Sequence, residues 1–481
     1  MSFDVFFKSE KKQFVVDEKV IGSLEKIVPG GVSTREVDRV AYSKDFMPIT
    51  LRWLLDGVVP ALPDCIVWPE SVDQVSEILK FASKNKIPVI PFGDGSGVLG
   101  SAIPRKGGIV LDVKKMNKIV EIDDLGLMAR VQTGINGMNL ERLLNRDGYT
   151  MGHIPQSLYC SSLGGWIACK AAGQFSTKYG KIEDMLVSLE AVLPDGTVIS
   201  SKSVPRSSTG PAVERLFLGS EGKLGVVTEA TVKIWPFPEK RAMVSFLFES
   251  LHDAYESTRI ILRRGVYPAV MRIYDKNETV RHFWELEGAK DHVMLVLLCE
   301  GDEKVVDLEH EVCIEVCESH GGVSCGQDPV EHWLESRFNV REVGDFVPRG
   351  FIFDTIEVSV GWKDGVKLYE NVIDAMRSVK GVVIASAHAS HFYPQGVCFY
   401  FTFGGIPPRG VPHYEFYMQA WDAAMKAVVD SGGSISHHHG VGLTRAEWLK
   451  VEMGARMEMF KRIQGVLDPA GVMNPGKMGV D

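Results

Sequence analysis

An α/β unit followed by a separate α+β unit is the fold class this sequence predicts, on three observations. Residues 60–120 alternate short apolar strands, one amphipathic helix and a glycine-rich loop. Residues 242–430 alternate strands with helices of roughly 15 to 20 residues, the text of an antiparallel sheet covered by helices. Glycines gather at 93–108, 164–180, 219–225 and 432–442, each time beside strand-forming text. The chain divides on this reading into an N-terminal helical segment (1–59), a first unit (60–238), a second unit (239–433) and a C-terminal segment (434–481).

In the first unit, CIVWP reads as a strand and SVDQVSEILKFASKNK as a helix. Val75, Ile78, Leu79 and Ala82 recur there at helical spacing, and Ser71 stands where an N-cap belongs. IPVIPFG and GIVLDV are strands on either side of the loop DGSGVLGSAIPRKGG. KIVEID and LMARVQTG follow as a strand pair, then the helix NGMNLERLLNRDG, ended by Gly148. Asp195-Gly196 between two apolar runs signals a hairpin, and GVVTEATVKIW alternates like a strand. After the proline-bearing WPFPEKR, the strands of the second unit are MVSFLF, DHVMLVLLCE, TIEVSV and VCFYFTF. The text from EWLKVEMGARMEMFKRIQGVL onward is helical.

Composition narrows the function classes. With 45% apolar and 24% charged residues the chain reads as globular, and a net charge of −9 with no long Lys/Arg run argues against a nucleic-acid face. No apolar run approaches the ~20 residues of a membrane span, and the N-terminus lacks a secretory signal pattern. The eight cysteines form neither a disulfide framework nor a CxxC pair. The expectation is a reduced, cytoplasmic protein, with peripheral membrane association as the alternative.

The loop PFGDGSGVLG packs glycines around Ser96, so backbone N–H groups can converge on an anion. No helix follows it, because Pro104 and a turn come next; a pyrophosphate would be held by the loop itself. SSLGGWIACKAAGQ and LGSEGKLGVV repeat the small-residue style, which suits one large, extended ligand lying against backbone. IPVIPFGDGSGVLG, SSLGGWIACKAAGQ with KYGKIEDML, LGSEGKLGVVTEATVKI and DPAGVMNPGKM occur here in one order. In that order the sequence resembles the FAD-linked oxidases of the vanillyl-alcohol oxidase and p-cresol methylhydroxylase type.

The resemblance implies a two-lobed FAD-binding domain, an α+β cap domain and a C-terminal segment that returns to the FAD domain. It implies that Pro91, Gly93, Asp94, Gly95, Ser96, Gly97 and Val98 cradle the FAD pyrophosphate. Pro155, Ser157, Ser161, Ser162, Gly164, Gly165, Trp166, Ala168, Gly173, Tyr179 and Gly180 would line the adenine and the isoalloxazine. Glu221, Gly222, Gly225, Val226 and Val227 would do so from the third cluster. The flavin is expected to be non-covalent, since the pyrophosphate loop carries neither His nor Cys; His153 and Cys160 lie nearest in sequence.

Four features remain. Arg272 in PAVMRIYD is either paired with Asp275 or an anion clamp, since a guanidinium fork matches carboxylate or phosphate. His437, His438 and His439 form a triplet on a Gly-bounded turn, where imidazole serves proton transfer or a solvated loop. In SAHASHFYPQGVCFYFTF, His388 and His391 precede a strand. There Tyr400 faces away from Phe399, Phe401 and Phe403, as a core tyrosine or a phenol reaching a reacting carbon. Asp354 and Glu357 in DTIEVS read as structural. The triplet, RIYD and YPQGVCFYFTF resemble the alkyldihydroxyacetonephosphate synthase branch, which implies Arg272 on a phosphate, Tyr400 at the reacting carbon and the triplet by the flavin. The chain also resembles the D-lactate dehydrogenase and glycolate oxidase branch. It lacks that branch's metal motif, so no metal is expected, with His388, His391 and His438 the set that would hold one.

The expected function is a FAD-dependent oxidoreductase oxidising a small, anionic 2-hydroxy acid of the D-lactate or glycolate type. The alternatives are an ether-lipid synthase and a non-catalytic flavin subunit of an electron-transfer complex. Electrons would leave to an iron–sulfur partner, an electron-transfer flavoprotein or a quinone, and a homodimer is expected.

Overall fold

The computed structural model describes residues 16–339 and 345–480. Of the expected N-terminal segment, residues 1–15 lie outside the described residues; the rest carries helices Glu18–Ile27, Glu36–Ala41 and Ile49–Leu55. Cys65–Val67 and Val89–Phe92 both run parallel to Ile109–Asp112, and Val32–Ser33 joins the edge antiparallel. Cys65–Val67 and Val89–Phe92 flank Ile109–Asp112 and point the same way, so the chain must cross over between them, and Val72–Asn85 is that crossover. Ser71 Oγ accepts from Gln74 N, so the expected N-cap forms. A five-stranded antiparallel sheet follows, in the order Ile119–Asp123, Met128–Gln132, Val226–Lys233, Leu186–Val192, Val198–Ser200. The last pair is the hairpin turned at Asp195-Gly196.

The second unit is a seven-stranded antiparallel sheet. Its order is Val323–Gly326, Lys240–Phe248, Val293–Gly301, Val270–Tyr274, Val382–Tyr393, Gly396–Gly405, Ile352–Gly361. His388 and His391 therefore do not precede a strand; they lie in one, Val382–Tyr393. The register puts Tyr274 opposite His388, His388 opposite Tyr400 and Tyr400 opposite Glu357. Arg272 stands opposite Ser390. Side chains alternate faces with period two, so these residues share one face. The other face carries Ile273, Ala389, Phe399, Phe401, Ile356 and Val358, all buried in one core cluster with helices Leu251–Arg263, Gly365–Ser378 and His413–Asp430. Truncating a fully buried Phe here to Ala costs about 3–5 kcal/mol. The helices thus hold one face dry, which frees the polar face for a site.

The C-terminal helical text is two helices, Ala446–Met453 and Ala455–Leu467, broken at Gly454, whose φ is 50°. Beyond them the chain returns to the first unit. Asn474 N donates to Val89 O, Met473 bridges to Val89, and Lys223 Nζ donates to Val480 O at 2.8 Å. No helix among the described residues is long and apolar enough to cross a membrane.

Candidate functional site

A cavity of about 540 Å³ runs from the loop after Val89–Phe92 to the polar face of the seven-stranded sheet. The loop is shaped for an anion. Gly95 has φ 71°, and a Cβ on Gly93 would come 2.0 Å from Ser162 Oγ, so neither position takes a side chain without strain. Among the described residues, none of the backbone N–H groups from Asp94 to Val98 donates to a protein acceptor, and all five residues line the cavity. A run of donors without acceptors is costly unless water or a ligand answers it. A pyrophosphate supplies those acceptors, so the cradle fits the FAD that the sequence implies. Asp94, whose carboxyl burial pushes up, is turned aside to accept from Asn136 Nδ2 at 2.8 Å.

At the far end Arg272, His388, Ser390, His391, Tyr400, His438 and His439 line the same cavity. Arg272 makes no ion pair with Asp275, which instead caps the helix Lys276–Phe283 and accepts from Ala387 N and Tyr369 Oη. The guanidinium donates through Nε to Tyr274 Oη at 2.9 Å and lies over the rings of Tyr274 and Trp333. No carboxylate pairs with it among the described residues. His388 stacks on Tyr400 at 4.8 Å between centroids. Tyr400 Oη accepts from Thr355 Oγ1 at 3.1 Å, and burial keeps the phenol protonated. His391 sits at a register shift in its strand with φ 56°. Left-handed backbone at a non-glycine bulge re-aims a side chain at a cost of about 1–3 kcal/mol. Here it turns the imidazole toward Ser176 Oγ, 2.7 Å away.

The histidine triplet is held by its backbone. Glu357, fully buried, accepts from His437 N at 2.7 Å, His439 N at 2.6 Å and Arg445 Nη1 at 2.7 Å. Glu221, from the first unit, accepts from Val441 N at 2.5 Å and Gly442 N at 2.9 Å. Burial raises the Glu357 pKa most, but Arg445, His439 and the amides together hold it below the usual carboxylate range. The imidazoles are the reverse case. Burial and, secondarily, Arg272 bring His388 down to about 3, and burial brings His439 down to about 4. Burial likewise holds His391, His437 and His438 well below 6.5. The imidazoles are therefore neutral and each keeps a lone pair, although the same burial weakens them as bases.

Several expected placements need correction. Ser161, Gly173, Tyr179 and Gly180 do not line the cavity. Ser161 Oγ accepts from Trp166 Nε1, and Tyr179 Oη donates to Glu300 across to the second unit. Gly173 packs on the backbone of Ile154, and Gly180 ends a helix. They support the wall from behind. His437 does not line the cavity either; its Nε2 meets Tyr393 Oη at 2.9 Å. The set His388, His391 and His438 does not converge, because His388 is drawn to Glu278. His391, His437 and His438 come together instead, with ring nitrogens within 4.8 Å. Four of their six nitrogens are in hydrogen bonds, His437 Nδ1 and His438 Nδ1 with each other at 2.8 Å, His437 Nε2 with Tyr393 and His391 Nδ1 with Ser176; Nε2 of His391 and of His438 has no hydrogen bond among the described residues. Glu357 and Arg445 escaped the sequence reading as organisers. The available signal was a glutamate inside the apolar strand text TIEVSV, since a buried carboxylate demands a partner.

Two family models match the chain, one over each unit. An FAD binding domain model matches residues 63–202, and the model of the FAD linked oxidases, C-terminal domain, matches 237–478. The chain is 33% identical over 456 residues to alkyldihydroxyacetonephosphate synthase of Caenorhabditis elegans, covering 87% of this chain and 76% of that one. It is 27% identical over 466 residues to glycolate oxidase subunit GlcD of Bacillus subtilis (strain 168), covering 94% of each. A solved alkyldihydroxyacetonephosphate synthase superposes with a TM-score of 0.81 at 26% identity, covering 97% of this chain and 87% of that one. p-Cresol methylhydroxylase shares the fold, with a TM-score of 0.75 at 18% identity over 96% of each chain. One family model spans half the chain and a relative matches across most of both lengths; the chain belongs to the FAD-linked oxidases.

Proposed function

We propose that this chain oxidises a small 2-hydroxy acid whose carboxylate docks on Arg272. The observation that carries the reading is a cavity-lining guanidinium with no carboxylate partner among the described residues, in the same lining as neutral imidazoles. With Nε engaged by Tyr274, the Nη donors of Arg272 have no protein acceptor among the described residues, and such donors in a half-buried site favour an anion. FAD, when bound, supplies the acceptor for two electrons, and it is held without a covalent bond. His438, whose Nδ1 is engaged with His437, offers Nε2 to take the hydroxyl proton. Tyr400, held protonated, donates a hydrogen bond to the substrate oxygen, and His439 flanks it.

A second reading, ether-lipid synthesis, is favoured by the apolar mouth of the same cavity. Phe46, Pro48 and Leu51 line it, with Phe46 and Leu51 exposed. The likeness to the Caenorhabditis elegans synthase points the same way. One experiment separates the two. The protein is mixed anaerobically with D-lactate, L-lactate, glycolate, glycerate, 2-hydroxyglutarate or long-chain 2-hydroxy acids, and the visible flavin band is followed. Bleaching by at least one D-2-hydroxy acid is expected, slowed about a hundredfold in His438→Ala, as for a lost general base. Prior dialysis against a chelator leaves the rate unchanged. If no acid bleaches the flavin while an acylated dihydroxyacetone phosphate loses its fatty acid, the synthase reading stands instead.

A further inference from the structure

His388 is the cavity imidazole whose tautomer the protein fixes. It lines the cavity, and its Nδ1 lies 3.4 Å from Glu278 Oε2. Glu278, on the helix Lys276–Phe283, has its side chain at 0% exposure. Its Oε1 accepts from Ser386 Oγ at 2.9 Å and from Arg281 Nη2, and His282 Nε2 lies 3.4 Å from Oε2. Burial opposes the charge on Glu278, but His282, His388 and Arg281 outweigh it and hold the carboxyl well below the usual carboxylate range. A carboxylate only accepts hydrogen bonds, so neutral His388 carries its proton on Nδ1 and its lone pair on Nε2. Nε2 has no hydrogen bond among the described residues and is open to the cavity. The other imidazoles are not fixed in this way. His437 and His438 meet each other, His391 meets a hydroxyl, and His439 Nδ1 has no hydrogen bond.

The place of that lone pair limits what it can meet. Tyr274 stands opposite His388 in the sheet register and Arg272 opposite Ser390, so Arg272 and His388 are diagonal neighbours on the polar face. Tyr400 stacks on His388 at 4.8 Å and on His438 at 6.0 Å, while His388 and His438 make no ring contact with each other. One hydroxyl has one proton and cannot serve both imidazoles. With a carboxylate on Arg272 and the C2 hydroxyl at Tyr400 and His438, the acceptor at His388 is left for a donor on the next carbon. We propose that Glu278 is a positioning residue that fixes His388 as a hydrogen-bond acceptor, and that the site takes a 2,3-dihydroxy acid whose C3 hydroxyl donates to His388 Nε2. This names the substrate class within the hydroxy-acid reading above and rests on that reading. An acid with a methyl group at C3 leaves the lone pair unmet, and a site shaped to bond a hydroxyl discriminates against its absence. D-Glycerate and D-lactate differ in that one group.

Anaerobic flavin bleaching of the holoenzyme is expected to show kcat/KM about 10- to 100-fold higher for D-glycerate than for D-lactate. In Glu278→Gln, Arg281 can only donate, so it holds the amide oxygen and turns the NH2 toward His388. Nδ1 then accepts, the proton moves to Nε2, and the lone pair leaves the cavity. The glycerate-to-lactate ratio falls to near one, a change that a general loss of folding or flavin does not make. His388→Phe keeps a ring on Tyr400 without a lone pair and is expected to give the same ratio, so the test survives a Glu278→Gln protein that fails to fold. Glu278 is also tested without substrate. In holoenzyme labelled with nitrogen-15 histidine, the signal missing from His388→Phe is expected as the Nδ1–H tautomer in wild type and as Nε2–H in Glu278→Gln. A wild-type Nε2–H tautomer, or no change in Glu278→Gln, overturns the positioning role. D-Lactate used as well as D-glycerate, or a ratio that survives both substitutions, overturns the dihydroxy class and leaves the hydroxy-acid reading in place. If no acid bleaches the wild-type flavin, that reading falls and the dihydroxy class with it, and Glu278 stands or falls on the tautomers.

Discussion

Removing the Glu357 carboxylate is the most severe single change this site offers. Oε1 accepts from Ser436 Oγ, His439 N and Arg445 Nη1, and Oε2 from His437 N. Both members of the Glu357–Arg445 pair have side chains at 0% exposure. Glu357→Ala leaves a buried guanidinium uncompensated, about 3–5 kcal/mol. Glu357→Gln keeps the shape and, with its oxygen toward Arg445, three of the four contacts. It loses the charge and sets an NH2 against the His437 amide, one buried N–H left unmet, about 1–3 kcal/mol. At roughly 2–4 °C per kcal/mol for a large domain, alanine lowers the melting temperature by on the order of 10 °C, and glutamine by about half that. Differential scanning calorimetry of the holoenzyme reads both. The clamp also shapes the triplet, so flavin bleaching slows more in alanine than in glutamine. A Glu357→Ala protein melting within about 1 °C of wild type would falsify the reasoning.

Arg272→Ala is expected to lower kcat/KM for an anionic substrate by about 2–4 kcal/mol, or about 30- to 1000-fold. Arg272→Lys recovers only part of this, because an ammonium cannot form the fork; wild-type efficiency in the alanine variant places the clamp elsewhere. Acid or guanidine should release the yellow cofactor, and Gly95→Asp should empty the cradle, since it adds a carboxylate and a Cβ at φ 71°. Full flavin occupancy in Gly95→Asp sinks the loop assignment. Stability should fall steeply below about pH 6.5. Folded His388 titrates at about 3 and His439 at about 4, and His391, His437 and His438 are also held low. The unfolded imidazoles take up protons first, so stability is fully present above 6.5 and is lost as pH falls, by about 1.4 kcal/mol per pH unit for each imidazole. A thermal midpoint that stays flat from pH 7 to 5 contradicts this.

The sequence made the glycine cradle legible because glycine answers a local demand. Gly93 and Gly95 are required by backbone conformation and a neighbour's approach, which composition reveals. The strand Val382–Tyr393 was hidden for a related reason. Its inner face is Ala387 and Ala389, and its outer face is Ser386, His388 and Ser390, too polar to read as strand. That outer face meets a ligand cavity instead of a core, so the usual hydrophobic alternation is muted. Tyr400 was placed correctly because Phe399, Phe401 and Phe403 fix the opposite face. Glu357 and Arg445 were not, because they lie 88 residues apart and pair only through tertiary structure. The supporting roles of Tyr179 and Gly173 were likewise invisible, since small or aromatic residues behind a wall look like those on it.

The return of residues 472–480 to the first unit sets a timetable for synthesis. Asn474 Nδ2 donates to Ser101 O and to Glu221 O, and Lys477 Nζ donates to Ile103 O. Val89, at the start of the cradle strand, waits for Asn474 N. The parallel sheet and its crossover helix can form as soon as they leave the ribosome. Glu221 cannot be fixed until some 250 further residues have been translated. The nascent flavin domain is therefore an unfinished vessel through most of elongation, and the cofactor is expected to enter late. Shortening the chain after Gly471 should injure the earliest-made part of the protein, with flavin lost before the seven-stranded sheet melts.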